Sequence, residues 1–170
     1  MSETRDAALV EEACRKSAMS WLQPAGQTRP VAAWHVWVNG AMYVVSGGLE
    51  QPLPAMPDGQ PVTVIVRSKD KGARLVTWVA VADRVEPGTP EWDAVVPELH
   101  AKRLNSPDGE GQPARWAAQS TVTRLSPSGV VSEGPGRMSA RSHAAAPPDS
   151  TATTRGALPF MVGRRARRRR

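Results

Sequence analysis

The feature that most constrains the fold is a run of 19 residues, 31–49, that contains no Asp, Glu, Lys or Arg. A run of this length could cross a membrane as a helix. Asn39-Gly40 stands at its middle, however, and this dipeptide is the strongest short signal for a β-hairpin turn. Val, Trp and Tyr flank the turn on both sides and favour strands. The run therefore predicts a hairpin with strands over 31–38 and 41–46 and argues against a membrane helix.

The residues before the hairpin predict an amphipathic helix over 6–21, ended by Pro24 and Gly26. Cys14 falls on its apolar stripe, so we expect a buried small hydrophobic residue and not a reactive thiol. A single cysteine cannot form an internal disulfide. The acidic N-terminal segment lacks the basic start and apolar run of a secretory signal. We therefore expect a cytoplasmic protein.

Downstream of the hairpin, residues 47–61 hold four prolines and three glycines, which predicts a loop. A later helix is predicted to start at Thr89, which can cap it, and Pro90, which fits its first position. Pro97 is expected to kink or split this helix. The other predicted elements are strands over 62–68, 75–85 and 120–125 and a short helix over 114–119.

These elements predict a mainly β fold with flanking helices. Strands that are neighbours in the sequence would be antiparallel, and the helices are too few to cover a parallel sheet. The predicted strand over 31–38 is apolar on both faces, which is typical of a small barrel or a subunit interface. We therefore expect a small antiparallel β-barrel with helices packed outside it.

The net charge of +6 is concentrated near the C-terminus. Residues 1–132 hold 13 Lys and Arg against 14 Asp and Glu, whereas residues 133–170 hold 9 against 2. Beyond Ser126 the composition shifts to Ser, Pro, Gly, Ala and Thr, and six of the last seven residues are arginine. We expect one domain over 1–132 and a disordered Arg-rich tail over 133–170. The tail could bind nucleic acid nonspecifically and in a salt-sensitive way, or could only aid solubility.

A basic segment, RSKDKGAR, separates two of the predicted strands. Its cations are Arg67, Lys69, Lys71 and Arg74, with Ser68 among them. A phosphate monoester needs several converging donors, some of them cationic, on a rigid backbone. Gly72 allows the turn to fold back with its amide exposed. Basic hairpin turns are also common on soluble proteins, so a solvated turn and a phosphate site both remain open.

The chain has six tryptophans beside one Phe and one Tyr, and Trp34, Trp37 and Trp78 fall on predicted strands. Each could fill the core, and planar indoles near a phosphate site could also stack on a bound nucleotide. His35 is the only histidine of the strand region, where a core or interface role competes with proton transfer. His100 is explained by the C-terminal dipole of its helix.

No nucleophile-and-base pair, nucleotide-binding glycine motif or zinc motif is present in the sequence. No cluster of His, Cys and acidic residues has metal-ligand spacing. Any catalysis would therefore need a cofactor to supply the chemistry.

Two segments, AWHVWVNGAMYVVSGG and VTVIVRSKDKGARLVTWVAVADRVEPGTPEWDAVVPELHAKRL, resemble the flavin-binding split-barrel family. This family includes pyridoxamine phosphate oxidase and its actinobacterial relatives. The resemblance covers residues 7–126 and rests on the order of a leading helix, a hairpin, a basic strand and turn, a strand ending in VADRVEP and a helix with an acidic start. It implies a six-stranded split β-barrel, a homodimer with shared cofactor sites, and hydride transfer at a flavin ring that the protein orients.

Carried over to this chain, the resemblance assigns the phosphate of flavin mononucleotide (FMN), or of a deazaflavin, to the basic turn. The implied phosphate-binding residues are Arg67, Ser68, Lys69, Lys71 and, as a weaker candidate, Arg74. Trp34, His35 and Trp37 would lie near the isoalloxazine ring or the partner subunit. Only five strands are evident, so residues 27–30 or the tail would have to supply the sixth.

The chain lacks the C-terminal Trp- and Arg-containing signature by which true pyridoxamine phosphate oxidases bind their substrate. The resemblance therefore implies a flavin- or deazaflavin-dependent oxidoreductase that acts on another small organic substrate. The alternatives are a cofactor-free split-barrel protein with a binding or structural role, and nonspecific nucleic-acid binding through the Arg-rich tail.

Overall fold

The computed structural model of the chain describes residues 2–70 and 72–140. Lys71 and the predicted tail from residue 141 onward lie outside the described residues. In chain order the elements are α1 Ser2–Lys16, β1 Met19–Pro24, β2 Val31–Trp34, β3 Val36–Val38, β4 Ala41–Ser46, β5 Pro61–Arg67, β6 Arg74–Val85, α2 Pro90–Lys102, a 3-10 turn Gly109–Gly111, α3 Gln112–Gln119 and β7 Thr121–Glu133.

All seven strands belong to one antiparallel sheet with the order β2-β1-β5-β6-β7-β4-β3. The two edge strands, β2 and β3, are consecutive in the chain, and His35 alone separates them. The sheet must therefore curl until its edges meet at this residue, which makes a half-barrel. This confirms the predicted antiparallel split barrel with flanking helices.

Two apolar cores hold the helices to this sheet. One core packs Val10 and Cys14 of α1 against inward residues of β1, β5 and β6, such as Val64 and Trp78. The other core packs Trp92 and Leu99 of α2, with Trp116 of α3, against β4. Burial raises the pKa of the Cys14 thiol to about 12, so this cysteine is the inert core residue that was expected. No described helix is long and apolar enough to cross a membrane.

The predicted helix over 6–21 is wrong in its second half, because α1 ends at Lys16 and Trp21 lies in β1. Along β1 the side chains alternate between buried and more exposed, the pattern of a strand with one covered face. β1 pairs with β2 on one side and β5 on the other. The sixth strand was expected in residues 27–30 or in the tail, and the structure supplies this additional strand at Met19–Pro24 instead.

The Asn39-Gly40 turn is confirmed, with positive φ angles of 48° and 80° that suit a two-residue hairpin turn. The predicted first strand over 31–38 is not continuous, however. Only Val36–Val38 pairs with β4, while Val31–Trp34 pairs with β1. The apolar run that was predicted to be one hairpin strand thus supplies both edges of the sheet.

One helix is less interrupted and one strand is longer than predicted. α2 begins as predicted, with the Thr89 hydroxyl accepting a hydrogen bond from the Trp92 amide at 3.2 Å. It is not split at Pro97, whose position is exposed while the neighbouring Val96 and Leu99 are buried and hold the helix to the sheet. The last strand was predicted to end at 125, but β7 continues to Glu133 because the long β6 offers it a partner edge.

Candidate functional site

A cavity of about 640 Å³ lies where the two edges of the sheet meet. We call it the seam cavity. Its walls come from the end of α1, the start of β1, the β2–β3 segment and the end of α2. Trp34, His35 and Trp37 all line it, so the structure brings together the three aromatic residues that the resemblance assigned to the cofactor ring.

Trp34 is held in place by the loop that follows β4. The side chain of Gln51 accepts a hydrogen bond from the Trp34 amide at 2.9 Å and donates one to the Trp34 carbonyl at 3.0 Å. The Trp34 ring is half-buried and lies 6.4 Å from the ring of Trp116. One wall of the seam cavity is therefore a fixed, partly accessible indole.

His35 is buried, with 5% of its surface exposed. Its Nε2 lies 3.1 Å from the carbonyl oxygen of Cys14 and donates to it when the ring is neutral. Burial lowers the pKa of His35 below its ordinary 6.5, although the hydrogen bond to Cys14 opposes this. Nδ1 then carries the ring's lone pair, and it has no hydrogen-bond partner among the described residues. His35 thus lines the cavity with a neutral ring whose Nδ1 is itself buried.

Trp37 separates the seam cavity from a second cavity described below. Its ring meets that of Trp78 edge to face, with 6.1 Å between the centroids. Trp37 is half-buried, and its indole N–H has no acceptor among the described residues. The ring is thus placed by packing, with its indole N–H buried.

The rim of the seam cavity is positively charged. Its charged lining residues are Arg15, Lys16, Lys102, Arg103 and Glu98. Lys16 and Arg15 pair with acids one helical turn earlier on α1, in exposed contacts that contribute little and exchange easily. Arg103 is already paired with the buried Glu50 at 2.7 Å, so the other three basic groups are the ones that favour an anionic ligand.

The basic turn between β5 and β6 is closed by its own backbone. Ser68 donates to the carbonyl of Ala73 at 2.7 Å, and Gly72 donates to the carbonyl of Ser68 at 2.9 Å. Arg67 folds over the turn, where its guanidinium lies 4.9 Å from the ring of Trp21 and donates to the Gly72 carbonyl. The described part of the turn is therefore closed by backbone hydrogen bonds and by the Arg67 side chain.

The cations of the turn differ in their surroundings. Arg74 is half-buried, and it pairs with Glu133 at 3.3 Å and donates to the Ser139 carbonyl, so its charge holds β6 to the end of β7. Lys69 is exposed. Lys71 lies outside the described residues. The assignment of the phosphate to this turn stays a prediction.

Strand register relates the turn to the seam cavity. Met19 pairs with Trp34, and the following Ser20 pairs with Val66. One residue further along this register, Arg67 is opposite Met19. Arg67 is therefore two strands away from Trp34, a distance of about 10 Å between the backbones. None of the described turn residues lines the cavity, but Met19 does. The basic turn and the seam cavity thus lie side by side at one end of the sheet.

Glu50 is the main residue of this region that sequence reasoning missed. Its fully buried carboxylate accepts from Arg103 at 2.7 Å, Trp116 at 2.9 Å, Arg115 at 3.1 Å and Gln112 at 3.2 Å. Burial alone would raise the pKa of Glu50, but the bonds from Trp116, Arg103 and Arg115 outweigh it and leave the pKa below the ordinary 4.5. Because Trp116 packs on Trp34, Glu50 supports the cavity wall. The sequence feature that could have singled out Glu50 is that residues 13–57 contain no other acidic residue.

A second polar network fastens the start of α2 to the sheet. Glu91 accepts from the Tyr43 hydroxyl at 2.9 Å and from Arg124, which also donates to Asp83 at 3.0 Å. Burial and the bond to Glu91 raise the pKa of Tyr43 to about 12. His100 likewise has a structural contact, with its Nε2 3.0 Å from the Gly109 carbonyl and its ring edge-on to Trp116.

No protein-family profile and no curated protein matches the chain by sequence. Among solved structures, the chain is similar to HutZ, the heme storage protein from Vibrio cholerae, at 17% identity and a TM-score of 0.53, over 72% of this chain and 89% of HutZ. It is also similar to an FAD-binding protein from Mesorhizobium loti (13%, TM-score 0.43, 77% and 90%) and to the FAD and heme binding protein from Mycobacterium smegmatis (13%, TM-score 0.45, 89% and 90%). At these identities the likeness to HutZ establishes the fold alone.

Proposed function

We propose that this protein binds a flavin nucleotide at the seam cavity and acts as a flavin- or deazaflavin-dependent oxidoreductase on a small organic substrate. The observation that carries the proposal is the placement, at one end of the sheet, of an aromatic cavity with a basic rim beside a hydrogen-bonded basic turn. Its volume is within the range of cofactor-sized sites, about 300–1,000 Å³.

In this proposal Trp34 and Trp37 flank the planar ring, and the ribityl chain spans the short distance to the basic turn. Arg67, Ser68, Lys69 and Lys71 would hold the phosphate, as the family resemblance implies. His35, which lines the cavity between the two tryptophans, would contact the bound ring. The flavin supplies the hydride chemistry, and the protein supplies orientation and the exclusion of water.

Titration of the full chain with FMN and with a deazaflavin, followed by absorbance and tryptophan fluorescence, tests the proposal. The double variant Lys69→Ala, Lys71→Ala is expected to weaken FMN binding by about 2–3 kcal/mol, because charge-assisted bonds to a phosphate contribute at this level. Arg84→Ala is the matched control, since Arg84 is an exposed cation near the far end of β6.

The possible results separate three cases. If neither compound binds, the proposal is rejected and a cofactor-free role takes its place. If the Lys69/Lys71 variant binds FMN normally, the turn does not hold the phosphate. A loss on substituting Lys16 and Lys102 instead would move the phosphate to the rim of the seam cavity.

Heme is a second candidate ligand, because His35 is a neutral imidazole at the cavity wall, and its Nδ1, which is buried in this structure, would bind iron once the ring turned toward the cavity. Hemin added in the same titration would then give an absorbance band that His35→Gln abolishes. A band that persists in this variant would exclude His35 as an iron ligand.

A second copy of the chain is the partner that we propose for the outer face of β1 and β5. On these strands Leu22 and Val64 face the core, whereas Trp21 and Ile65 are half-buried on the opposite face. We expect the full chain to sediment as a dimer and Ile65→Glu to sediment as a monomer, because a charge on an apolar contact face opposes association. A wild-type monomer at micromolar concentration would refute this.

A further inference from the structure

A second cavity, of about 480 Å³, lies between α1 and the strands β6 and β7. We call it the α1–β7 cavity. Trp37 and Trp78 contribute to its walls, and the remaining lining is largely aliphatic, including Val10 and Val131. Neither the family resemblance nor the flavin proposal assigns it a role. Its size is sufficient for a small organic molecule.

The charge of this cavity is opposite to that of the seam cavity. Glu3 and Glu11 are its charged lining residues, and no basic side chain of the described residues lines it. Both acids lie on one face of α1 with Ala7 between them, since residues four apart in a helix are neighbours. Glu11 is also paired with Arg15 at 3.3 Å, but this exposed contact leaves it largely available.

Small residues keep the cavity open. Ala7 stands between the two acids, and Gly40 and Gly129 contribute on the strand side. A Cβ atom added at either glycine would meet nothing within 4 Å. A ligand could therefore reach the indoles from the mouth that carries the carboxylates.

We infer that the α1–β7 cavity binds a small hydrophobic cation, such as an aromatic or aliphatic amine. Its apolar part would lie against the walls, where indole rings attract cations as well as hydrocarbon. Its ammonium group would lie beside Glu3 or Glu11, because eight helical residues separate these two acids by about 12 Å along α1. Trp37 is a wall of both cavities, so the protein would select anions on one side of this ring and cations on the other. This inference does not depend on flavin binding.

Three probes of similar shape and different charge test the inference: 2-phenylethylamine, 2-phenylethanol and phenylacetate. Binding to the full chain would be measured by ligand-observed NMR and calorimetry. We expect the amine to bind at least about three-fold more tightly than the alcohol, because exposed carboxylates attract a cation only weakly. Phenylacetate should be excluded from the α1–β7 cavity.

Variants on α1 locate the site. The double variant Glu3→Gln, Glu11→Gln should reduce amine affinity to that of the alcohol, and Ala7→Leu should block both probes by filling the mouth. Glu12→Gln and Ala8→Leu are the matched controls, because these exposed residues do not line the cavity. Thermal unfolding would verify that each variant folds.

Equal affinity of the amine and the alcohol in the wild type would overturn the inference. So would unchanged amine binding in the double Glu variant, which alters only exposed side chains and remains decisive if Ala7→Leu is poorly folded.

Discussion

At the scale of single residues, Glu50 shows how one buried charge can shape a site it does not enter. The carboxylate is fully buried, yet it is matched by two arginines, an amide and an indole N–H. A buried charge is tolerated only when its partners satisfy it, so these four side chains are fixed around it. Through Arg103 and Trp116, Glu50 determines where the basic rim and the Trp34 wall of the seam cavity lie.

Glu50→Gln is expected to lower the free energy of unfolding by about 3 kcal/mol, because it leaves the half-buried Arg103 without its counter-charge and Arg115 with Asp108 alone. Denaturant unfolding measures this change. Glu12→Gln is the control, since its pair with Lys16 is exposed and is expected to contribute little. A loss in Glu50→Gln no larger than in the control would show that the cluster is not stabilising.

The comparison of wild type with Glu50→Gln should also depend on pH. The pKa of Glu50 is lower in the folded state than its ordinary 4.5, so its contribution is complete above that pH. It is lost as the pH falls through the folded-state pKa. The difference in unfolding free energy between wild type and Glu50→Gln should therefore shrink below pH 4.5; a constant difference would contradict it.

At the scale of elements, the junction of β2 and β3 decides the architecture. The chain pairs with β1 before the buried His35 and with β4 after it. This change of partner strand brings the two edges of the sheet together. α2 then covers the β4 side of the sheet, and its start is set by Thr89, whose hydroxyl accepts from Trp92 and donates to Glu86. The end of α2 contributes Lys102 to the seam cavity.

Thr89→Ala should therefore destabilise the protein by about 1 kcal/mol, the usual cost of removing a helix N-cap. Thr89→Ser retains the hydroxyl and should restore most of this stability. Thermal unfolding compares the two variants with wild type. Equal losses in both would indicate that the methyl group, and not the cap, is responsible.

At the scale of the whole molecule, the last described segment is part of the folded unit. Arg137 pairs with Asp6 of α1 at 2.6 Å, and the Ser139 amide donates to Glu133 at 3.2 Å. Truncation after residue 140 retains these contacts, whereas truncation after 133 removes them. The basic residues beyond 140 take part in neither contact, so a truncation can remove them and keep both contacts.

We expect the 1–140 chain to unfold at the same denaturant concentration as the full chain, and the 1–133 chain to be less stable by about 1 kcal/mol. Only the full chain should be retained on a DNA column, with retention falling steeply as salt rises. FMN titration of the 1–140 chain separates the two proposed activities. Retention of the 1–140 chain on DNA would contradict a role for the Arg-rich tail.

Much of the fold was predictable because its signals are local. Asn39-Gly40 specifies a tight turn by backbone conformation, and Thr89-Pro90 specifies a helix start by capping. The strands over 62–68 and 75–85 were predicted within about one residue because burial on alternate sides leaves a period of two. Trp34, His35 and Trp37 could be nominated as one group because they are adjacent in the chain.

Only the tertiary structure could decide the features that depend on distant partners. Met19–Pro24 has apolar residues that suit a helix or a strand, and pairing with β2 and β5 selects the strand. Glu50 is buried because Arg103, Arg115 and Trp116 reach it from more than 50 residues away. The sequence alone thus determined turns, caps and the antiparallel class, whereas folding decided which charges are buried and which cavities form, since both depend on contacts that no local pattern encodes.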